Sequence, residues 1–447
     1  PPGFQKDWYY AAGLGWQMSK ESFIKDNVSW INLWKWRATY GRTGNNNVDD
    51  YQYFGYRQTY STTIRGYGVG VNKNLVFSFN EDALANASIH AEKGNKFDFG
   101  TDISLFKDHF QITADYYYDK YSELLGIRGK SILLIGANAP NVTEGNLTFA
   151  GNGSIYPVEN IGTSAFKGGE LTLTFKSNVR NFNYFISANG AIQSTKVIFS
   201  DEQVRPNAFN YRTGQPINAI FGYKSLGLFQ SAEEAASSPT ILGYNAQAGD
   251  IKYADIGGID GKPDGVIDRF DEMPIGNTKP LMFYGASFGF NYKGFSVSVL
   301  LQGVHNRNIY QSPSLLNGFG GLTGSGIGAP YGQAYESAVG RWTEETAATA
   351  TSPRVSISNL NNNQQSSFYI RSGNYFRIKN AEIGYTLPYS WTKRINVSGI
   401  RVFVNGENLY TITGYKGFDP EVFPNNTPGS FPYPIQRVFN AGVSIKL

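Results

Sequence analysis

The chain has 447 residues, 15% of them aromatic and 51 of them glycine, too rich in packing residues for a disordered segment and too polar for a bundle of membrane helices. Its formal charge of +4 is too mild to argue for nucleic acid, and with no cysteine it holds neither a disulfide framework nor a thiolate metal site. No stretch approaches the roughly 18 consecutive apolar residues of a spanning helix, which leaves open a barrel whose alternating strands are nearly invisible to averaged hydropathy.

The chain opens on PPGFQKDWYY, without initiator Met, basic segment or apolar run, so any export signal is expected upstream. The first apolar stripe is Trp8, Tyr10, Ala12, Leu14 and Trp16; the second is Trp34, Trp36, Ala38 and Tyr40. Phe97, Phe99, Ile103 and Leu105 then alternate with Asp98 and Asp102, and Phe110, Ile112, Ala114, Tyr116 and Tyr118 alternate with polar residues. Leu171, Leu173 and Phe175 follow, then Tyr184, Ile186 and Ala188. Tyr284 to Tyr292 runs into a two-residue turn, Lys293-Gly294, and out again through Phe295, Val297, Val299 and Leu301. Ala381, Ile383 and Tyr385, then Val402 and Val404, then Phe439, Ala441, Val443 and Ile445 complete the series. About eleven segments of period two are thus predicted, each near the ten residues of a tilted membrane strand. Phe376 and Ile378 are out of phase with Ile383 and Tyr385, which predicts either a bulge near Asn380 or a strand leaving the bilayer.

Short connections (17–31, 107–109, 178–182, 293–294 and 388–398) alternate with long ones (43–95, 121–168, 198–280, 310–373 and 414–435). A soluble sandwich has no reason to put every long loop at one end; an outer-membrane barrel does. The prediction is an all-β, transmembrane, antiparallel up-and-down barrel segment with lipid on the apolar face and a lumen on the polar face.

At this point the chain resembles a known family. WKWRATYGRTGN (from Trp34), KFDFGTDISLFKDHFQITADYYYDKYSELL (96–125), YADIGGIDGKPDGVIDRFDEMPIGN (253–277), YGASFGFNYKGFSVSVLLQGV (284–304), FRIKNAEIGYTLP (376–388) and RVFVNGENLYTITGYKGFDPEV (401–422) stand in the order found in SusC/RagA-type TonB-dependent outer-membrane transporters of the Bacteroidetes. The resemblance implies the last eleven or so strands of a 22-stranded barrel in the bacterial outer membrane. It implies a nutrient importer for oligosaccharides or peptides, energised through TonB and capped by a SusD-like surface lipoprotein. The signal peptide, plug and first half of the barrel are then expected outside residues 1–447. A structural barrel subunit, or a half-barrel in a larger surface complex, is the alternative.

No enzyme is expected. GASFG at 285–289 matches the hydrolase elbow G-x-S-x-G but sits mid-strand, whereas the elbow needs a strand-turn-helix. GFGGLTGSGIG at 318–328 lacks the Lys-Ser/Thr and βαβ frame of a phosphate loop. His90, His109 and His305 are scattered, and no triad or zinc set assembles around them. The segment 255–272 suggests a cation loop: Asp260, Asp264, Asp268 and Asp271 fall at the first, fifth, ninth and twelfth positions of a calcium loop, with Gly265 at the turn and the Val266 carbonyl at the seventh. Lys262 occupies the third position, for which Asp255 is the candidate substitute; hard oxygen ligands suit Ca²⁺ or Mg²⁺. The same residues equally suit a turn-rich loop using Asp and Gly for backbone reasons. Contacts to a glycan or peptide are expected from loop aromatics, with Tyr310, Phe319, Tyr331, Tyr335, Tyr415, Phe418 and Phe423 as candidates by position.

Overall fold

A computed structural model describes residues 3, 6–46, 55–69, 74–81, 84–126, 128, 142–144, 147–149, 157–311, 313, 336–356, 359–417, 419–422 and 433–447. Eleven long strands form a single sheet: β1 (Ala11–Gln17), β2 (Ile31–Asn45), β3 (Glu92–Leu105), β4 (Phe110–Gly126), β5 (Glu159–Val179), β6 (Phe182–Phe199), β7 (Met282–Tyr292), β8 (Phe295–His305), β9 (Tyr375–Thr386), β10 (Gly399–Thr413) and β11 (Val438–Lys446). Each pairs antiparallel with its sequence neighbours, so the spatial order equals the chain order. Every short connection therefore lies on one edge of the meander, and every long one (46–91, 127–158, 200–281, 306–374 and 414–437) on the other.

Register converts the period of two into two faces. Tyr184, Phe290, Val297, Ile383, Val404 and Ala441 form one continuous row across six strands, and the adjacent row is Phe185, Gly289, Ser298, Glu382, Asn405 and Asn440. The first face carries hydrocarbon and stays uncovered: Leu14, Ile186, Ile383 and Val443 are all more than half exposed. The second carries the ionisable residues and, apart from Phe185 and a few others, is polar.

The phase slip near Asn380 is a bulge. Leu300 pairs with Asn380 while Leu301 pairs with Ile378, and on the other side Tyr410 pairs with Ile378 while Glu407 pairs with Asn380. Lys379 is the extra residue against β8, and Asn408 on β10 absorbs the misfit at φ 53°. As a result Ile378 stays on the apolar face and Asn380 joins Leu300 on the polar one. At the two-residue turn, Lys293 and Gly294 both have positive φ, 46° and 91°, the geometry whose twist matches a tight hairpin.

The strands run further than the alternation of apolar residues suggests. β5 has 21 residues, which at about 3.3 Å each makes roughly 70 Å, well beyond the path of a tilted strand through a hydrocarbon layer about 30 Å thick. The excess lies toward the long connections, where Ser164 and Ala165 are buried. The densest apolar core is there too, outside the sheet. Tyr223, Ile251, Tyr253 and Ile267 of connection 200–281 pack with Tyr369 of connection 306–374, flanked by Leu228, Ile241, Tyr310 and Phe368. Short pairings hold this body: Ser225–Leu228 with Ile251–Tyr253, and Asn308–Tyr310 with Ile370–Ser372.

Candidate functional site

The polar face is organised around arginines. Arg37 on β2 reaches Asp102 on β3 at 2.9 Å, Asp115 on β4 at 2.7 Å and Asp98 at 3.7 Å. Gly100 lies in register between Arg37 and Asp115, and a methyl group there would overlap both side chains, so glycine opens the space for the cluster. Arg401 on β10 pairs with Glu382 on β9 at 2.6 Å and donates to Ser296 Oγ at 3.0 Å; Gly384 gives it room in the same way. In both places alternation puts the charges on one face, and pairing across adjacent strands neutralises part of them.

Toward the long-connection edge the wall meets the connection 414–437. Arg377 on β9, 1% exposed, donates to Asp419 at 2.7 Å, to Glu421 at 2.5 Å and to Thr411 Oγ1 at 2.8 Å. Lys379, the bulge residue, reaches Glu421 at 3.2 Å, and Gln302 on β8 donates to the same carboxylate at 3.0 Å. Burial alone would raise the Glu421 pKa, but the Lys379 and Arg377 charges outweigh it and hold the carboxyl below its ordinary value.

Above this sits the two-connection body, fastened by one carboxylate. Asp250 is fully buried and accepts from five residues: Tyr244 Oη (3.0 Å), Gln247 N (2.9 Å), Arg354 Nε (2.6 Å) and Nη2 (3.3 Å), Asn359 Nδ2 (2.8 Å) and Asn362 Nδ2 (3.0 Å). Two come from its own connection and three from the other. Asn362 and Asn361 extend the seam, accepting from Ile251 N and donating to Ile251 O, both at 2.8 Å. A buried ionised group tolerates such a site because every lone pair is met.

The candidates from sequence fall as follows. Asp255 accepts from the amides of Asp264 (3.3 Å) and Gly265 (2.7 Å), Asp264 accepts from Val266 N (3.0 Å), and Asp268 caps Phe270 N (2.8 Å). Asp271, fully buried, accepts from Ile256, Gly257 and Asp268 amides at 2.7–3.0 Å, and burial pushes its pKa up. Asp260 is exposed, and Val266 pairs in parallel with Thr240. The carboxylates of Asp255, Asp264, Asp268 and Asp271 meet backbone amides, and among the described residues no group of three or more His, Asp or Glu is placed to hold a metal ion.

Tyr310 is half-buried against Tyr369, their rings 6.4 Å apart, and burial pushes its hydroxyl pKa to about 12. Tyr415 Oη accepts from Gln311 Nε2 at 3.3 Å, joining two long connections. Phe319, Tyr331, Tyr335, Phe418 and Phe423 lie outside the described residues, as does the glycine run 318–328. Ser287 sits mid-strand on the polar face between Ser187 and Leu300, with no turn or helix near it. His90 contacts Glu123 at 2.7 Å and His109 contacts the Lys176 carbonyl at 2.7 Å. The sequence reading missed Asp250, Arg354, the Asn359–Asn362 run and Arg377. For Asn359–Asn362 the sequence signal is a polar tract, SNLNNNQQSS, whose partner Asp250 lies more than 100 residues away, and Arg377 meets Asp419 and Glu421 across more than 40 residues.

What the arrangement offers is a wall of amides, hydroxyls and partly neutralised charges beneath a tightly fastened loop body. That chemistry binds and orients polar solutes by hydrogen bonding.

No family model matches the chain. Among curated proteins, it is 26% identical to TonB-dependent receptor P3 of Formosa agariphila over 99% of this chain and 42% of that protein, and 23% identical to TonB-dependent receptor SusC of Bacteroides thetaiotaomicron over 99% and 41%. Among solved structures, it superposes on the RagAB peptide transporter with a TM-score of 0.70 (18% identity, 98% of this chain, 43% of that one) and on the RagAB peptide importer in its open-open state with 0.71 (19%, 99% and 43%). The chain thus spans somewhat over two fifths of the length of these proteins, and it is an all-β, eleven-stranded antiparallel counterpart of the C-terminal half of the barrel in SusC/RagA-type TonB-dependent transporters.

Proposed function

We propose that the chain forms the C-terminal half of an outer-membrane importer barrel, closed by strands from outside residues 1–447, that takes up a polar nutrient of the oligosaccharide or peptide class. The observation that carries this reading is the division of one continuous sheet into an uncovered apolar face and an ion-paired polar face, with all long connections on one edge. An apolar face that large is unstable in water and suits hydrocarbon; a polar face lined by Arg37, Asp102, Glu382 and Arg401 suits a lumen. The similarity to TonB-dependent receptors supports energy supply through TonB, and the likeness to RagAB supports a SusD-like lipoprotein seated on the long-connection edge.

The test uses the full-length protein in its host. Removal of the gene should abolish growth on one class of peptide or oligosaccharide supplied as the limiting nutrient, and the tagged protein should co-purify with a surface lipoprotein. Undiminished growth on every substrate, together with purification in a larger complex lacking such a lipoprotein, would favour a structural barrel subunit.

A further inference from the structure

The short-connection edge carries a chemistry of its own. The three tightest turns, between β3 and β4, β5 and β6, and β7 and β8, each place a basic residue in the left-handed backbone region: Lys107 (φ 56°), Arg180 (φ 58°) and Lys293 (φ 46°). That conformation favours glycine or asparagine, and a long side chain there is held at a steric cost. The chain meets the same demand elsewhere with Asn306, Asn396, Asn408 and Glu123, and on either side of Lys107 with Phe106 and Asp108, so the backbone does not dictate Lys or Arg. All three basic side chains are exposed, and none is in an ion pair among the described residues. Lys393 and Arg394, exposed in the β9–β10 connection, extend the basic rim. Of the acids at this edge, Glu21 accepts from Trp16 Nε1 at 3.0 Å and Asp108 accepts from Ser104 Oγ, while Asp26 is exposed in the β1–β2 connection, where Lys20 and Lys25 offset it.

Directly next to these charges, on the apolar face, runs an aromatic row. Phe182, Tyr292, Phe295 and Tyr385 are register partners on four successive strands, with ring centroids 6.0 Å apart for Phe182–Tyr292 and 4.5 Å for Phe295–Tyr385. Trp30 stacks on Phe106 at 5.6 Å beside Lys107, and Trp391, 60% exposed, adjoins Lys393. Aromatic rings settle at the boundary between hydrocarbon and headgroups, and a cation one residue beyond them sits at the depth of the phosphates.

We propose that this rim binds anionic phospholipid of the leaflet at the short-connection edge, with Lys107, Arg180 and Lys293 as headgroup contacts. The inference rests on the membrane-spanning reading above. A lipid surface fits better than a protein because basic residues recur at successive short connections along the rim, Arg180 and Lys293 beside the aromatic row of β6–β9, Lys107 beside Trp30 and Phe106, and Lys393 and Arg394 beside Trp391.

The test compares the full-length protein with K107N/R180N/K293N after reconstitution in vesicles of equimolar phosphatidylglycerol and phosphatidylcholine, measuring the ratio of the two lipids retained on extraction. Asparagine suits the left-handed turns, so the yield of protease-resistant barrel should be unchanged. The wild type should retain an excess of phosphatidylglycerol, and that preference should fall roughly fivefold for each charge removed. An equal ratio for wild type and variant would overturn the proposal, and would assign the rim to a protein if the substitutions instead released a soluble partner that copurifies with the wild type. Wild-type protein that fails to float with vesicles of either lipid alone would overturn the membrane-spanning reading itself.

Discussion

Asp250 and Arg377 are the two side chains on which the long-connection edge turns. Replacing Asp250 with Asn removes a charge from Arg354 and turns one acceptor oxygen into a donor facing Asn359 and Asn362, so the body should loosen by about 2–4 kcal/mol. Limited proteolysis of the full-length protein should then cut within 200–281 and 306–374 while the sheet survives. Glu421 gives a pH dependence. Its pKa is depressed in the folded state, so its contribution is fully present above the ordinary carboxylate value of about 4.3 and is lost as pH falls through the folded value. Connection 414–437 should therefore become protease-sensitive under acid, and Glu421→Gln should remove that step by making the connection sensitive at neutral pH. In the segment 255–272, the amide bonds to Asp255, Asp264 and Asp271 order the loop by themselves, so its resistance to protease should be equal in EDTA and in calcium. A rise in resistance with calcium, abolished by Asp264→Asn, would show cation binding instead. Acid and glycine spacing in that segment was legible in the sequence; whether the carboxylates meet a cation or amides was not, because both uses select the same residues.

At the level of the strand, the sequence shows most of what the structure contains. Tyr284 to Leu301 announces a hairpin and its faces, because the period of two excludes every one-residue slip and the two-residue turn Lys293-Gly294 fixes the register that pairs Phe288 with Val299 and Phe290 with Val297. Val299→Lys should accordingly prevent assembly, at a cost of about 2–4 kcal/mol for a charge near the midplane, whereas Ser298→Lys, beside Glu382, should assemble normally. Heat-modifiable migration on gels distinguishes the two; the opposite outcome would mean the faces are reversed, and equal behaviour that the two faces do not divide between lipid and lumen. Deletion of Lys379 is a sharper test of the bulge. Without the extra residue Ile378 joins Asn380 directly and the alternation runs unbroken with both on their present faces, so folded yield should be retained and only the Lys379 contact to Glu421 lost; a collapse of folded yield would mean the extra residue is not Lys379. Strand ends were less legible: β5 and β6 continue past the apolar stripe into GTSAFKGG and QSTKVIF, where small and polar residues interrupt the alternation of apolar ones and Ser164 and Ala165 of β5 are buried.

For the whole molecule, two kinds of connectivity coexist. The sheet joins only sequence neighbours, which is why its topology could be read from the order of its segments. The loop body joins residues 109 positions apart, Asp250 to Asn359, and no local pattern encodes that choice. This difference has a consequence in time. Hairpins of the meander are expected to close early, since each needs only a two- to thirteen-residue link at the short edge. The Asp250 seam has to wait, because β7 and β8 lie between its halves in sequence and must be threaded and paired before residues 354–362 can come back to it. The seam is therefore expected to close after the surrounding hairpins, a clasp fastened last, and protection of residues 359–362 that appears no later than that of the sheet in a refolding time course would refute this order.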